Sequence, residues 1–460
     1  MSDGSRGRTP ATVFDVGIDE RIGALETIAL GFQNIFGMTG MFVFPAIIGL
    51  AYHLPAAQIG YLYGATFVAS GLVTVLQSVL GLRLPIVQGP YAGTFAMIVV
   101  AGRLGIPLGT TFGSLALAGV VWALLAFPIR GFSLVGVVAR YAKSPLIYGT
   151  LLIVIMTQLA GVTLPNWIGT PERPGFGAVN LASGALAVVV FVACTVWGKR
   201  LIRRGATLLA VLAGTLLFGA FVPIDLSHVA HAPLIEAPRF FPFGVGLNAE
   251  LFLIFFVTFV PAIAESIAMY EIVAEWGEVR LSPARVSLGV FGEVLGSAIG
   301  ATLGAVSTLA YPDNVGLLRA TRVGSRYVTL ATGAILMLLG SIVKFDLLLV
   351  AVPLPIIAAV GAVLFGMILM SGIEMLGRVA WDDRNLIVAG FPFMVSIGGL
   401  FVPETTLHEL PLFARVIVQQ PLISAVVLLG VLDVVLNRGR RGAATLPHAT
   451  RAPLGAESAV

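Results

Sequence analysis

Hydrophobic positions along this chain gather into blocks about twenty residues long. That is the length a helix needs to cross a hydrocarbon layer ~30 Å thick at a rise of ~1.5 Å per residue. Fourteen such spans are predicted, over residues 24–50, 58–80, 85–101, 108–129, 144–163, 178–197, 205–223, 249–273, 285–303, 306–319, 326–343, 347–372, 385–402 and 416–436. The third and tenth are too short or too broken to cross as plain helices. The polar stretch Met1–Arg21 has no apolar core followed by a small-residue cleavage site, so no signal peptide is expected. The tail after Asn437 is basic and rich in small residues.

Composition fits a lipid-embedded chain. Of 460 residues, 58% are hydrophobic and 11% charged, with mean hydropathy +0.99. Soluble proteins carry roughly 25% charged residues. A soluble enzyme, a nucleic-acid binder and a secreted disulfide scaffold are excluded. The single cysteine, Cys194, lies in an apolar run and reads as an inert thiol.

The placement of charge orients the spans. With fourteen crossings both termini share one side, and all but five of the 27 Lys and Arg fall there. The five on the other side are Arg103, Arg173, Arg239, Lys344 and Arg415. By the excess of cations in cytoplasmic loops, both termini are expected in the cytoplasm, across a bacterial-type inner membrane. One span more or fewer would scramble the sorting.

Fourteen divides into two sevens, and seven is odd, so two homologous halves would lie in opposite orientations. The interrupted span is third in each half. One reads Leu84-Pro85-Ile86-Val87-Gln88-Gly89-Pro90-Tyr91-Ala92-Gly93-Thr94-Phe95, the other Ala305-Val306-Ser307-Thr308-Leu309-Ala310-Tyr311-Pro312-Asp313-Asn314-Val315-Gly316. Interrupted segments at matching positions point to a transporter binding site. Extended backbone there frees N–H and C=O groups that lipid cannot satisfy, so they must line an enclosed cavity, where half-helix N-termini offer donors and partial positive charge.

Carboxylates inside spans are functional candidates because each is costly in a bilayer. Glu265 stands mid-span in Val260-Pro261-Ala262-Ile263-Ala264-Glu265-Ser266. Leaving water penalises its ionised form, which suits a group that takes up and releases a proton. Asp313 follows the second break, in the first turn of a half-helix started by Pro312, where a cap is the plainer alternative. Glu271, Glu275, Glu278 and Glu293 are expected at solvated or interfacial positions.

Asp313-Asn314-Val315-Gly316-Leu317-Leu318-Arg319-Ala320-Thr321-Arg322 resembles the signature of the nucleobase–ascorbate transporter family: Gln, Glu or Pro, then Asn-x-Gly-x-x-x-x-Thr and a basic residue. Asp313 departs at the first position. Gln33-Asn34 resembles the family's first-span Gln-His pair, with Asn34 in place of His. Leu84-Pro85-Ile86-Val87-Gln88-Gly89 is similar to the third-span entry, although Pro90-Tyr91-Ala92-Gly93 departs from it. Ala264-Glu265 matches the eighth-span Ala-Glu, and Pro353-Leu354-Pro355 the Pro-rich start of the twelfth. The resemblance covers about residues 24–436.

The resemblance implies an all-α integral membrane fold, a 7+7 inverted repeat with short strands in spans 3 and 10. Core segments would be 24–140 and 249–345, gate segments 141–223 and 346–436, with cytoplasmic tails at 1–23 and 437–460. It implies an elevator-type carrier, a homodimer through the gates, and no cofactor. Glu265 and Asp313 would bind the N–H groups of a uracil- or xanthine-like base. Met41, Tyr311, Pro312 and Ala92 align with pocket positions, and Tyr91 or Phe95 would supply an aromatic face. Gln33, Asn34, Asn314, Gly316, Thr321 and Arg322 carry the signature.

Selectivity stays open. Asp for Glu at 313 shortens the carboxylate by ~1.5 Å, which would suit a bulkier purine, a shifted backbone or a bridging water. Two carboxylates favour a neutral substrate over an anion. A same-fold bicarbonate- or sulfate-like carrier is the rival, but no Lys or Arg falls mid-span. Met269 stands where uracil-permease-like members carry a histidine, so proton coupling would fall to Glu265 itself, with sodium coupling as the alternative.

Overall fold

The computed structural model describes residues 13–36, 38–127, 135, 144–199, 201–224, 226–408, 418 and 421–437. The tail beyond Asn437 and the loop cations Arg130, Arg140, Lys143 and Arg415 lie outside the described residues. The chain divides into two compact units, Met1–Arg378 and Val379–Val460.

The first unit is helical apart from two short strands. Its first span is divided into α1 (Ala24–Phe36) and α2 (Thr39–Ala51). There follow α3 (Ala56–Val79), β1 (Gln88–Pro90), α4 (Ala92–Arg103), α5 (Leu108–Ala126), α6 (Pro145–Ile168), α7 (Ala178–Val196) and α8 (Ala206–Gly219). The sequence half beyond contains α9 (Ala249–Trp276), α10 (Pro283–Thr302), β2 (Thr308–Ala310), α11 (Pro312–Thr321), α12 (Arg326–Leu339), α13 (Val343–Val350) and α14 (Leu354–Leu376). Among the described residues, nine helical stretches, with α1 and α2 taken together as one, are long and apolar enough to cross a membrane, and four shorter apolar helices accompany them. The 24 residues of α3 rise ~36 Å, whereas the 12 of α4 rise only ~18 Å, half a crossing. Large apolar side chains such as Val189, Leu212 and Leu216 are more than half exposed on the outer helix faces. Such a surface belongs in lipid, and the protein is an integral membrane protein.

Helix ends follow local chemistry. The Asn248 side chain accepts the Leu251 N–H at 2.9 Å and caps α9. Ser282 caps α10 just before Pro283, and α11 opens on Pro312, where a missing N–H costs nothing. Glycine supplies 54 of the 460 residues, and several of them permit close helix approach. A Cβ on Gly71 of α3 would stand 2.6 Å from the Gly333 carbonyl of α12, and one on Gly64 2.7 Å from the Gly340 carbonyl that follows it. α6 and α14 meet similarly at Gly149 and Gly372. Small residues let membrane helices pack backbone to backbone.

Two features differ from expectation. The first span is not one continuous helix: Met38, at φ −88° and ψ 72°, breaks it. The break frees the Gly40 N–H from the helical ladder, and it donates to the Tyr311 hydroxyl instead. Glu293, expected at a solvated or interfacial position, is 3% exposed. It lies among Ser266, Tyr270, Gln88 and the Ala310 backbone, because α10 tucks its middle behind the strands. Glu271, Glu275 and Glu278 are exposed, as expected.

Residues 13–23 pack on the first unit: Ser325 Oγ donates to the Glu20 carbonyl and Arg326 pairs with Asp19 at 2.5 Å. In the second unit, α15 (Asp383–Gly398) is capped by Asp382 and pairs with α16 (Pro421–Asn437). Arg384 donates to the Leu436 carbonyl at 3.1 Å, and Asn437 to Asn385 at 3.2 Å.

Candidate functional site: a strand crossing between two half-helices

β1 and β2 pair antiparallel, with Gln88 opposite Ala310, Gly89 opposite Leu309 and Pro90 opposite Thr308. Isolated strands of three residues would not hold together, but side chains from both halves secure these. Thr74 Oγ1 of α3 accepts the Gln88 N–H at 2.9 Å, and Ser297 Oγ of α10 accepts the Thr308 N–H at 3.0 Å. Tyr91 N–H donates to the Ser307 carbonyl and Tyr311 N–H to the Val87 carbonyl, at 2.8 and 2.9 Å. Three residues into each half-helix, a polar side chain reaches the opposite strand: Thr94 bonds Ser307, and Asn314 Oδ1 accepts the Val87 N–H at 3.0 Å. The crossing therefore has a local two-fold relation, pairing Tyr91 with Tyr311, Thr94 with Asn314, and Val87 with Ser307.

A cavity of about 380 Å³ opens beside the crossing. Pro90, Tyr91, Ala92 and Gly93 line it from the first half, and Leu309, Tyr311 and Pro312 from the second. α9 contributes Glu265 and Met269, α6 contributes Tyr148, and α2 contributes Phe44. Glu265 is 7% exposed, and the Tyr148 hydroxyl hydrogen-bonds its carboxylate. The phenyl ring of Phe44 stacks on Phe95 with centroids 4.0 Å apart and planes 7° from parallel. Thus Phe95 backs the wall and Phe44 presents it. At the far end the cavity reaches Glu374 and Arg378, whose side chains pair at 3.3 Å.

Gly89 and Gly93 are glycines for a steric reason. A Cβ on Gly89 would stand 2.4 Å from Tyr311 Cδ2 and 2.9 Å from Met38 Cε, and one on Gly93 would meet the Tyr91 ring at 2.5 Å. The two aromatic rings pack directly against bare backbone.

The structure thus gathers Glu265, Tyr91, Ala92, Tyr311 and Pro312 around one space. Met41, expected at the pocket, is not among the lining residues and is instead fully buried in a cluster with Met38, Tyr63, Phe67 and Tyr311. Asp313 falls on the first turn of α11; its side chain lies outside the described residues. Signature residues do structural work. Asn34 donates to Thr332 Oγ1 at 3.1 Å, tying α1 to α12, and Gln33 is buried on the same turn. Thr321 bonds the Leu317 carbonyl, and Gly316 continues α11. Arg322 ends that helix at φ 60° and pairs with Asp15 at 3.1 Å. Tyr148 and Phe44 were not foreseen. Tyr148 carried a faint signal, a polar-tipped ring in an apolar span, while Phe44 is indistinguishable from any core phenylalanine.

No cluster of three or more metal-ligating side chains occurs among the described residues.

Discontinuous helices, a lipid-facing exterior and, at their junction, a largely apolar cavity holding a buried carboxyl are the features of a membrane transporter rather than an enzyme. The backbone resembles the transmembrane domain of a cyanobacterium bicarbonate transporter, BicA (TM-score 0.54, 13% identity, covering 90% of this chain and 100% of that one). It also resembles the murine Slc26a9 anion transporter in its inward-facing state (TM-score 0.59, 13% identity, 91% and 69% covered). A model of the permease family designated Xan_ur_permease matches residues 25–405, and the chain belongs to that family of nucleobase permeases. Relatives include the uric acid permease PucK of Bacillus subtilis, 28% identical over 84% of this chain and 89% of the relative. The xanthine permease of the same organism is 25% identical (91% and 95% covered), and the uracil permease of Bacillus caldolyticus 27% (83% and 87%).

Proposed function

We propose that the protein is a secondary active transporter that imports a nucleobase, uracil, xanthine or a related purine or pyrimidine, driven by a proton. The observation that carries this reading is the meeting of two half-helix N-termini and one buried carboxylate, Glu265, in a cavity of about 380 Å³. That size suits a small flat ligand. A nucleobase presents N–H donors and C=O acceptors on one edge and an apolar face above and below. Glu265, with Asp313, accepts the N–H groups. N–H groups in the first turn of α4 and the Asp313 N–H at the start of α11 donate to the carbonyls, and Phe44 and Tyr91 flank the ring. Relatives named for uric acid, xanthine and uracil support the class.

In this reading the chain forms two inverted seven-span halves. Core segments 24–140 and 249–345 carry the site past gate segments 141–223 and 346–436 of a homodimer. Arg378 falls on the side assigned to the cytoplasm, so a cavity running to Arg378 is the inward-open arrangement. Glu265 carries the driving proton because Asn34 and Met269 occupy the positions where the resemblance implies imidazoles. The ionised form binds substrate N–H groups, which ties affinity to protonation.

The folds it resembles include a bicarbonate and an anion transporter, so an anion carrier is the rival. Among the described lining residues the single cation is Arg378, at the mouth and paired with Glu374. A carboxylate at the crossing favours a neutral N–H substrate. The test is radiolabelled uptake by cells lacking their own permeases, competed with pyrimidines, purines, urate and ascorbate. Competition by a nucleobase supports the reading; uptake of bicarbonate or sulfate untouched by every base refutes it. Accumulation in vesicles with an imposed pH gradient and no sodium establishes the proton.

A further inference from the structure

A second cavity, of about 470 Å³, lies away from the strand crossing, between the N-terminal half of α3, the loop Glu236–Phe243 and the α12–α13 turn. Asp346 lines it from the first turn of α13 and is 3% exposed. Its Oδ1 has no hydrogen-bond partner among the described residues. A buried polar atom left so is costly, and a buried charge more so.

Three charged residues line this cavity: Glu236, Arg239 and Asp346. Arg239 and Glu236 neutralise each other through an ion pair at 2.5 Å, with Arg239 exposed and Glu236 half-buried. Asp346 is left as the one lining carboxyl with no charged partner among the described residues. A second oxygen converges on it. Asp346 Oδ2 and the Gly340 carbonyl lie 2.6 and 2.7 Å from where a Cβ on Gly64 would stand. The bare face of Gly64 is therefore what lets a carboxylate and a carbonyl from different elements come together. Hard oxygen ligands, a single carboxyl whose charge a bound cation would offset, and room for retained water suit a small monovalent cation better than a divalent one, which needs more carboxylates.

We propose that the Asp346 cavity is a binding site for a monovalent cation of the sodium type, separate from the Glu265 site. Phe67 links the two regions: it packs edge-on against Phe345, next in sequence to Asp346, and belongs to the buried cluster that holds Tyr311. A bound ion would thus brace the helices behind the strand crossing. This inference stands independently of which solute the transporter carries.

The test is binding of radioactive sodium-22 to the purified full-length protein in detergent, displaced by sodium chloride with choline chloride as the control. Saturable binding is expected in the wild type and in Glu265→Gln, and is lost in Asp346→Asn. Gly64→Ala, which fills the cradle between the two oxygens, should weaken it at least tenfold, and it keeps the test decisive if Asp346→Asn fails to fold. The proposal is overturned by the absence of saturable sodium binding to the wild type, by its survival in folded Asp346→Asn or in Gly64→Ala, or by its loss in Glu265→Gln.

Discussion

Asn314→Ala probes whether a signature side chain holds the strand crossing rather than touching substrate. Asn314 is 1% exposed, and its Oδ1 takes the Val87 N–H at 3.0 Å, with Val87 itself fully buried. Alanine removes the acceptor and shortens the side chain, so the Val87 amide faces no partner. A buried amide stranded in this way costs about 1–3 kcal/mol. That is roughly a 5- to 150-fold shift between intact and loosened crossing. Val87 also supplies the carbonyl that receives the Tyr311 N–H at 2.9 Å, so a displaced Val87 pulls on a residue that lines the cavity. Substrate would bind only the intact form, and its apparent Kd rises as the inverse of the intact fraction. The assay pairs thermal unfolding of the detergent-purified protein with equilibrium binding of the base identified by uptake competition. Both the melting temperature and the affinity should fall. Thr321→Val, which loses a bond to the Leu317 carbonyl of its own helix, serves as the control and should change neither. An Asn314→Ala protein that melts and binds like wild type would refute the reasoning.

Three further outcomes are expected. Gly89→Ala places a methyl 2.4 Å from Tyr311 and 2.9 Å from Met38; overpacking of this kind costs about 1–3 kcal/mol, read as a lower melting temperature with weakened base binding. Glu265→Gln fixes the site in a mimic of its protonated state, so concentrative uptake and its pH dependence should both vanish in vesicles, leaving at most slow exchange. Asp313→Asn sets an NH2 donor against a substrate donor and loses a charge-assisted bond of roughly 1.5–3 kcal/mol; affinity should drop about ten-fold or more with insertion unchanged, and unaltered affinity would leave Asp313 a helix cap.

The span pattern was legible because lipid imposes it residue by residue. Every predicted span contains a described helix, and the two flagged as broken are those that hold β1 with α4 and β2 with α11. Glu265 could be singled out for the same reason, since a mid-span carboxylate is conspicuous in a run of apolar residues. The first-span break was not legible. Residues 24–50 are apolar enough to read as one span, and the partner that takes the Gly40 N–H at the break, the Tyr311 hydroxyl, lies 271 residues away. Glu293 misled for a related reason: its position near a span end suggested water, yet the packing of α10 behind the strands buries it.

The sequence by itself determined the solvent, where along the chain the apolar segments fall, and two of the places where the backbone leaves the helix. Those properties depend on the local balance between apolar side chains and backbone polar groups, which each segment carries with it. Only tertiary structure decided what meets at the breaks: the register of Gln88 with Ala310, the reach of Asn314 to Val87, Tyr148 on Glu265, and Asp346 against Gly64 and Gly340. These contacts join residues up to hundreds of positions apart, and their geometry is set by how closely glycine lets helices approach.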